Sequence, residues 1–199
     1  MITRFLPALA LVVALLVGAP PTRAANAIEV TSASLTPAIT EAQWLLSADF
    51  YVPISARLKE VMELGIPVHF VVEFELSRAR WYWSDKTLTQ RSRDYRLSYH
   101  PITRRYRLKF SGLVREFFSL GEAIAAMTRI RGWAVVPTQF IDPDREYEWA
   151  LRMRLDSGRL PGPLQIDVMN NQDWNLQATW KRFKIRPGTP AKSSATNDQ

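Results

Sequence analysis

The chain has 199 residues, 26 lysines and arginines against 19 acids, a net charge of +7 and no cysteine. The missing cysteine excludes disulfides, thiolate metal sites and a lipid-modified N-terminal Cys, so an apolar core must hold the fold together. A basic balance points to a polyanionic partner, which in the cytoplasm is nucleic acid and outside it is lipid phosphate, lipopolysaccharide or an acidic wall polymer.

The N-terminus chooses between these. Arg4 precedes an unbroken apolar run from Phe5 to Ala19, then small residues and an Ala25-Asn26-Ala27 cleavage pattern. This is the anatomy of a secretory signal peptide, expected at residues 1–27. The run falls short of the roughly 20 residues that span a bilayer, so a retained leader would be an anchor rather than a full span. Export predicts a periplasmic protein and excludes nucleic acid. The leader carries Arg4 and Arg23 and no acid, which leaves +5 on the remaining 172 residues. Residues 186–199 lack aromatic and branched aliphatic side chains and read as a disordered tail. Residues 28–185 are expected to form one domain around one core.

Period-two alternation dominates that domain. Residues 28–35 and 43–52 read as strands. Ile54, Leu58, Val61 and Met62 then mark a short helix stopped by Gly65 and Pro67. Val68, Phe70, Val72, Phe74 and Leu76 point to one face of the next strand, with His69, Val71, Glu73, Glu75 and Ser77 on the other. Residues 79–84 suggest a further strand. Tyr95, Leu97 and Tyr99 alternate on one arm of a hairpin, and Tyr106, Leu108 and Phe110 on the next. Pairing His100 with Thr103 sets Leu97 opposite Tyr106 and Tyr95 opposite Leu108, all on one face. The same register sets Arg96 opposite Arg107, and Asp94 opposite Lys109, on the other face.

Ser119-Leu120-Gly121-Glu122 reads as a capping box opening a second helix, striped by Ala123, Ile124 and Met127 and closed by Arg129, Arg131 and Gly132. Residues 146–156 alternate cleanly and 174–185 less so. The predicted fold is mainly β (α+β): a curved antiparallel sheet or two-sheet sandwich with two short attached helices.

Catalytic motifs are missing. The eight glycines stand singly, without dinucleotide or P-loop spacing, and there is no G-x-S-x-G elbow. His69 and His100 have no Ser or carboxylate at a fixed offset. Asp142-Pro143-Asp144-Arg145-Glu146 reads as a turn rather than a cation site. Glu73, Glu75, Glu146 and Glu148 are available for carboxylate-pair hydrolysis, but outward strand positions suit charge ladders better. No catalytic residue, cofactor or metal is assigned.

The sharper feature is cationic. Arg91, Arg93, Arg96, Arg104, Arg105, Arg107, Lys109 and Arg115 fall within 25 residues. Like charges directly opposite are destabilising and need compensation. Glu73 and Glu75 on a neighbouring strand are the structural source. A bound anion gripped by paired guanidiniums is the functional one, placing Arg96, Arg105, Arg107 and Lys109 in a candidate anion- or partner-binding site. Trp81 and Trp83, flanked by Arg78 and Arg80, are the aromatic surface candidates, although alternation also suits them to a core.

The hairpin Leu97-Ser98-Tyr99-His100-Pro101-Ile102-Thr103-Arg104-Arg105-Tyr106-Arg107-Leu108 and the later Gln172-Asp173-Trp174-Asn175-Leu176, followed by Trp180, resemble the proteobacterial family catalogued as Domain of Unknown Function 4390. His100 stands where that family more often has Asn. The resemblance implies no activity and no functional residues. It implies an envelope accessory or signalling role, because members are often encoded beside a membrane sensor kinase. The expected function is therefore a non-enzymatic exported domain contacting a protein partner, such as a sensor kinase, or an anionic lipid or wall polymer. The alternatives are a periplasmic hydrolase of wall or glycan, and a structural component of an envelope complex.

Overall fold

The computed structural model describes residues 27–78, 86–170, 176 and 179–187. The leader, the 79–84 segment with Trp81 and Trp83, Trp174 and residues 188–199 lie outside the described residues.

Among the described residues nine strands form two antiparallel sheets: β1 (Glu29–Pro37), β2 (Gln43–Tyr51), β3 (Val68–Arg78), β4 (Lys86–His100), β5 (Arg105–Phe110), β6 (Leu113–Phe117), β7 (Arg129–Pro137), β8 (Tyr147–Leu155) and β9 (Lys181–Ile185). One sheet has the order β1-β2-β7 and the other β6-β5-β4-β3-β8-β9. Three helices among the described residues attach: α1 (Ala56–Glu63), α2 (Leu120–Thr128) and α3 (Gly162–Asn170). Neither sheet closes into a barrel. No helix among the described residues is long and apolar enough to cross a membrane.

Alternation is what drives the layers together. Trp44, Leu46, Ala48 and Phe50 of β2 are buried, as are Phe70, Val72, Phe74 and Leu76 of β3 and Leu97, Leu108, Leu151 and Met153 on their neighbours. These side chains form one cluster shared by both sheets. Removing them from water is the main favourable contribution to folding.

Three sequence expectations need correction. The second helix ends at Thr128, and Arg129, Arg131 and Gly132 belong to β7 instead. Ile130, Trp133, Val135 and Val136 are β-branched or aromatic and bury against β2, which outweighs continued helix. Gly132, at φ +60°, forms the bulge where the β2–β7 register slips between Leu46 and Ala48. α3 was not anticipated, because Pro161, Gly162 and Pro163 look like breakers; proline is tolerated in a helix's first turn, where its missing N–H has no partner to lose. β6 was missed too, its exposed Leu113-Val114-Arg115-Glu116 lacking a buried face.

The hairpin register also differs. His100 pairs with Arg105, not Thr103, so Leu97 faces Leu108, Tyr95 faces Phe110 and Tyr99 faces Tyr106. The turn is longer: Thr103 N–H donates to His100 Nδ1 at 3.4 Å, and Arg104 takes φ +52° to close it. The slip is two residues on β5, so every side chain keeps its expected face while its partner changes.

Candidate binding face

The outward face of the six-stranded sheet divides in two. On the β3–β8–β9 half, cations meet acids. Glu73, with a side chain only 14% exposed, accepts from Arg152 Nε and lies 3.3 Å from Arg154. Arg182 pairs with Glu148 at 2.6 Å, while Lys184 and Arg186 approach Glu146 at 3.4 and 3.8 Å. Glu75 accepts from Gln90 at 2.9 Å. Arg152 also lies over the Trp180 ring, 4.4 Å from its centroid.

The β4–β5 half is different. Arg96 stands opposite Lys109 on one side and His69 on the other. This replaces the expected Arg96–Arg107 and Asp94–Lys109 pairs with a row of three basic groups. Directly opposed side chains on antiparallel strands have Cβ atoms about 5 Å apart, close enough for like charges to repel. Glu73 and Glu75 do not supply the anticipated compensation, being held by Arg152, Arg154 and Gln90. Asp94 is drawn away by Arg159 at 3.1 Å, which also binds Asp156 at 3.1 Å. Among the described residues Arg96, Arg104, Arg105 and Lys109 make no ion pair. Arg107 does: it faces Ser98 on β4 and binds Glu116 of β6 at 2.6 Å. It therefore leaves the candidate anion grip, and Lys109 takes its place beside Arg96.

His69 records this field. Partial burial pushes its pKa below the usual imidazole value, the nearby Arg159 and Arg96 push the same way, and Asp156 and Asp94 oppose them. The ring is therefore neutral at pH 7.

The remaining cations of the cluster are separated by the pleat. Arg91 and Arg93 sit opposite Phe74 and Val72, on the core side. Arg93 packs over the Trp133 ring at 4.6 Å. Arg115 lies opposite Leu108 on that same side, 5.3 Å from the Phe117 ring centroid. Arg105 faces outward and stacks on Phe118, its guanidinium carbon 3.2 Å from the ring centroid. Sequence reasoning missed Phe118. The signal was present in a second aromatic, after Phe117 and just before the Ser119 cap, where alternation must expose one of the two rings. His100 is a turn former, not an isolated surface imidazole.

The expected Asp142 loop is a turn: Asp142 Oδ1 accepts from Asp144 N–H at 3.1 Å and Oδ2 from Arg145 at 2.8 Å. No group of three or more His, Asp or Glu side chains among the described residues has the geometry to hold a metal. Trp81 and Trp83, the aromatic candidates, lie outside the described residues.

No curated protein and no solved structure matches the chain. A family model does match, over residues 25–184; it is described as a domain of unknown function (DUF4390), and this protein belongs to that family.

Proposed function

We propose that this chain is an exported, non-enzymatic binding domain of the cell envelope, which takes an anionic partner on the β4–β5 half of its larger sheet. One observation carries the reading. Lys109 and Arg96 stand side by side on an outward face next to the neutral His69, with Arg104 and Arg105 beyond them, while the neighbouring acids are engaged elsewhere. A row of cations without acids repels itself; an anion bound there relieves that repulsion with charge-assisted hydrogen bonds. The leader-like N-terminus supports the envelope as the compartment. The four carboxylates of the hydrolase alternative are each held by a cation or an amide, an arrangement suited to ion-pair ladders rather than proton transfer. A partner protein with an acidic surface and an anionic envelope component both fit this chemistry.

The test is sedimentation of the protein with isolated envelopes at low and high salt. Changing Arg96→Gln with Lys109→Gln should weaken binding by on the order of tenfold, since a cation near an anionic surface contributes up to about 1 kcal/mol, or about fivefold, each. Changing Arg182→Gln with Lys184→Gln removes the same charge from the acid-compensated half and should leave binding within about twofold. Equal losses in the two variants would reduce the effect to net charge and overturn the proposal.

A further inference from the structure

Resting on that reading, we infer that the anionic partner is a lipid surface, met by the end of the six-stranded sheet that carries the β4–β5 turn. Three large apolar side chains project from this end: Ile102 is 90% exposed, Phe118 75% and Leu64 71%. Ile102 sits in the turn itself. Phe118 lies beside the turn, because Arg105, the first residue of β5, stacks on its ring. Leu64 caps α1 four residues before Val68, where β3 starts opposite Leu97 near the same turn.

The cations are arranged by depth behind these tips. Arg104 and Arg105 stand at the turn. Lys109 lies four residues further along β5, about 13 Å at the usual strand rise. Phe and Ile entering the headgroup boundary would set Arg104 and Arg105 among the phosphates. Arg96 and Lys109 would then lie just beyond one screening length of about 8–10 Å and contribute less per charge than Arg104 and Arg105. A guanidinium laid on an exposed phenyl ring presents an apolar body and a charged edge together, which suits a membrane interface.

A protein partner fits this end less well. Stable protein interfaces centre on a packed apolar core with charge at the rim. Here the exposed apolar groups come from three different segments, the β4–β5 turn, the residue after β6 and the cap of α1, and Arg105 lies on one of them.

Because the chain has no cysteine, single labels can be placed on the full-length protein. Ile102→Cys and Ile39→Cys would each carry an environment-sensitive fluorophore. Ile39 is also fully exposed, but it lies in the β1–β2 turn beside Thr138, toward the end where β8 begins. Both proteins keep the leader, so its own affinity for lipid is common to them. With phosphatidylcholine vesicles containing phosphatidylglycerol, the label at 102 should brighten and shift to the blue while the label at 39 stays unchanged. Arg104→Gln with Arg105→Gln should weaken the phosphatidylglycerol-dependent partitioning about 25-fold, from about fivefold per cation. Silence at 102, or equal responses at 102 and 39, would overturn the lipid inference. If the label is silent while envelope sedimentation still depends on Arg96 and Lys109, binding stands and the partner is a protein or wall polymer. If both are lost, both readings fall.

Discussion

Glu73 and His69 share one face of β3, four residues apart, and meet opposite fates. Glu73 is shared by two arginines from β8, one of which also pairs with Asp156. His69 has Arg96 beside it and Arg159 close by, and is held neutral. Protons therefore bind His69 less well in the folded chain than in the unfolded one, where its pKa is near 6.5. Folding stability should fall as pH drops through 6.5 toward the lowered folded value, because protonation then favours the unfolded chain. Asp49 and Asp142 do not share this window. Burial tends to raise the Asp49 pKa, but hydrogen bonds from Arg131 and Ser32 outweigh it; the Asp144 N–H and Arg145 lower that of Asp142. Both contribute stability above about 3.8 that is lost only below it. We expect His69→Gln to shrink the loss of urea-unfolding stability between pH 8 and pH 5. An unchanged loss would mean that another group senses this range. His69 was legible in the sequence as an outward histidine. Its neighbours were not, because they depend on which residue of β4 lies opposite.

At the scale of elements, backbone conformation decides where helix gives way to strand. Ser119 Oγ accepts from Glu122 N–H at 3.2 Å, and Glu122 reaches back to Phe118 N–H at 3.1 Å, so the anticipated capping box forms with its acid reaching one residue further back. Gly65, at φ +83°, stops α1 as its position suggested. Gly132 is a different case, read as the end of a helix and found as a strand bulge. A Cβ at Gly132 meets nothing within 4 Å, so the cost of a side chain there is its left-handed backbone alone. Gly132→Ala should destabilise by about 1–2 kcal/mol. Gly121→Ala, in the first turn of α2 and equally open, should stabilise by about 0.5 kcal/mol through the unfolded state. Thermal melting of the two variants checks the contrast, and a stabilised Gly132→Ala protein would show that the bulge does not need its positive φ.

For the whole molecule, one core serves both sheets. Phe74 is fully buried, tilted against Trp149 at 6.1 Å, and Trp149 stacks on Phe183 at 4.2 Å. Phe74→Ala should cost about 3–5 kcal/mol and leave a single unfolding transition by fluorescence and by circular dichroism. Two separated transitions would mean that the sheets are independent units. Tyr51→Ala, at an exposed strand end, should shift the midpoint little. The sequence alone determined which residues face the core, because side chains in a strand alternate by covalent geometry and that parity survived a two-residue slip in the hairpin. It also determined the mainly β class, the Ser119 start of α2, the Gly65 stop of α1 and the concentration of cations at 91–115. Tertiary structure decided the rest: strand order, register, the bulge at Gly132, and the assignment of Glu73 to Arg152 and Arg154 rather than Arg96. The bulge and the Glu73 pairing depend on contacts between residues 79 to 85 positions apart, and no local pattern encodes which of several acids will face a given arginine.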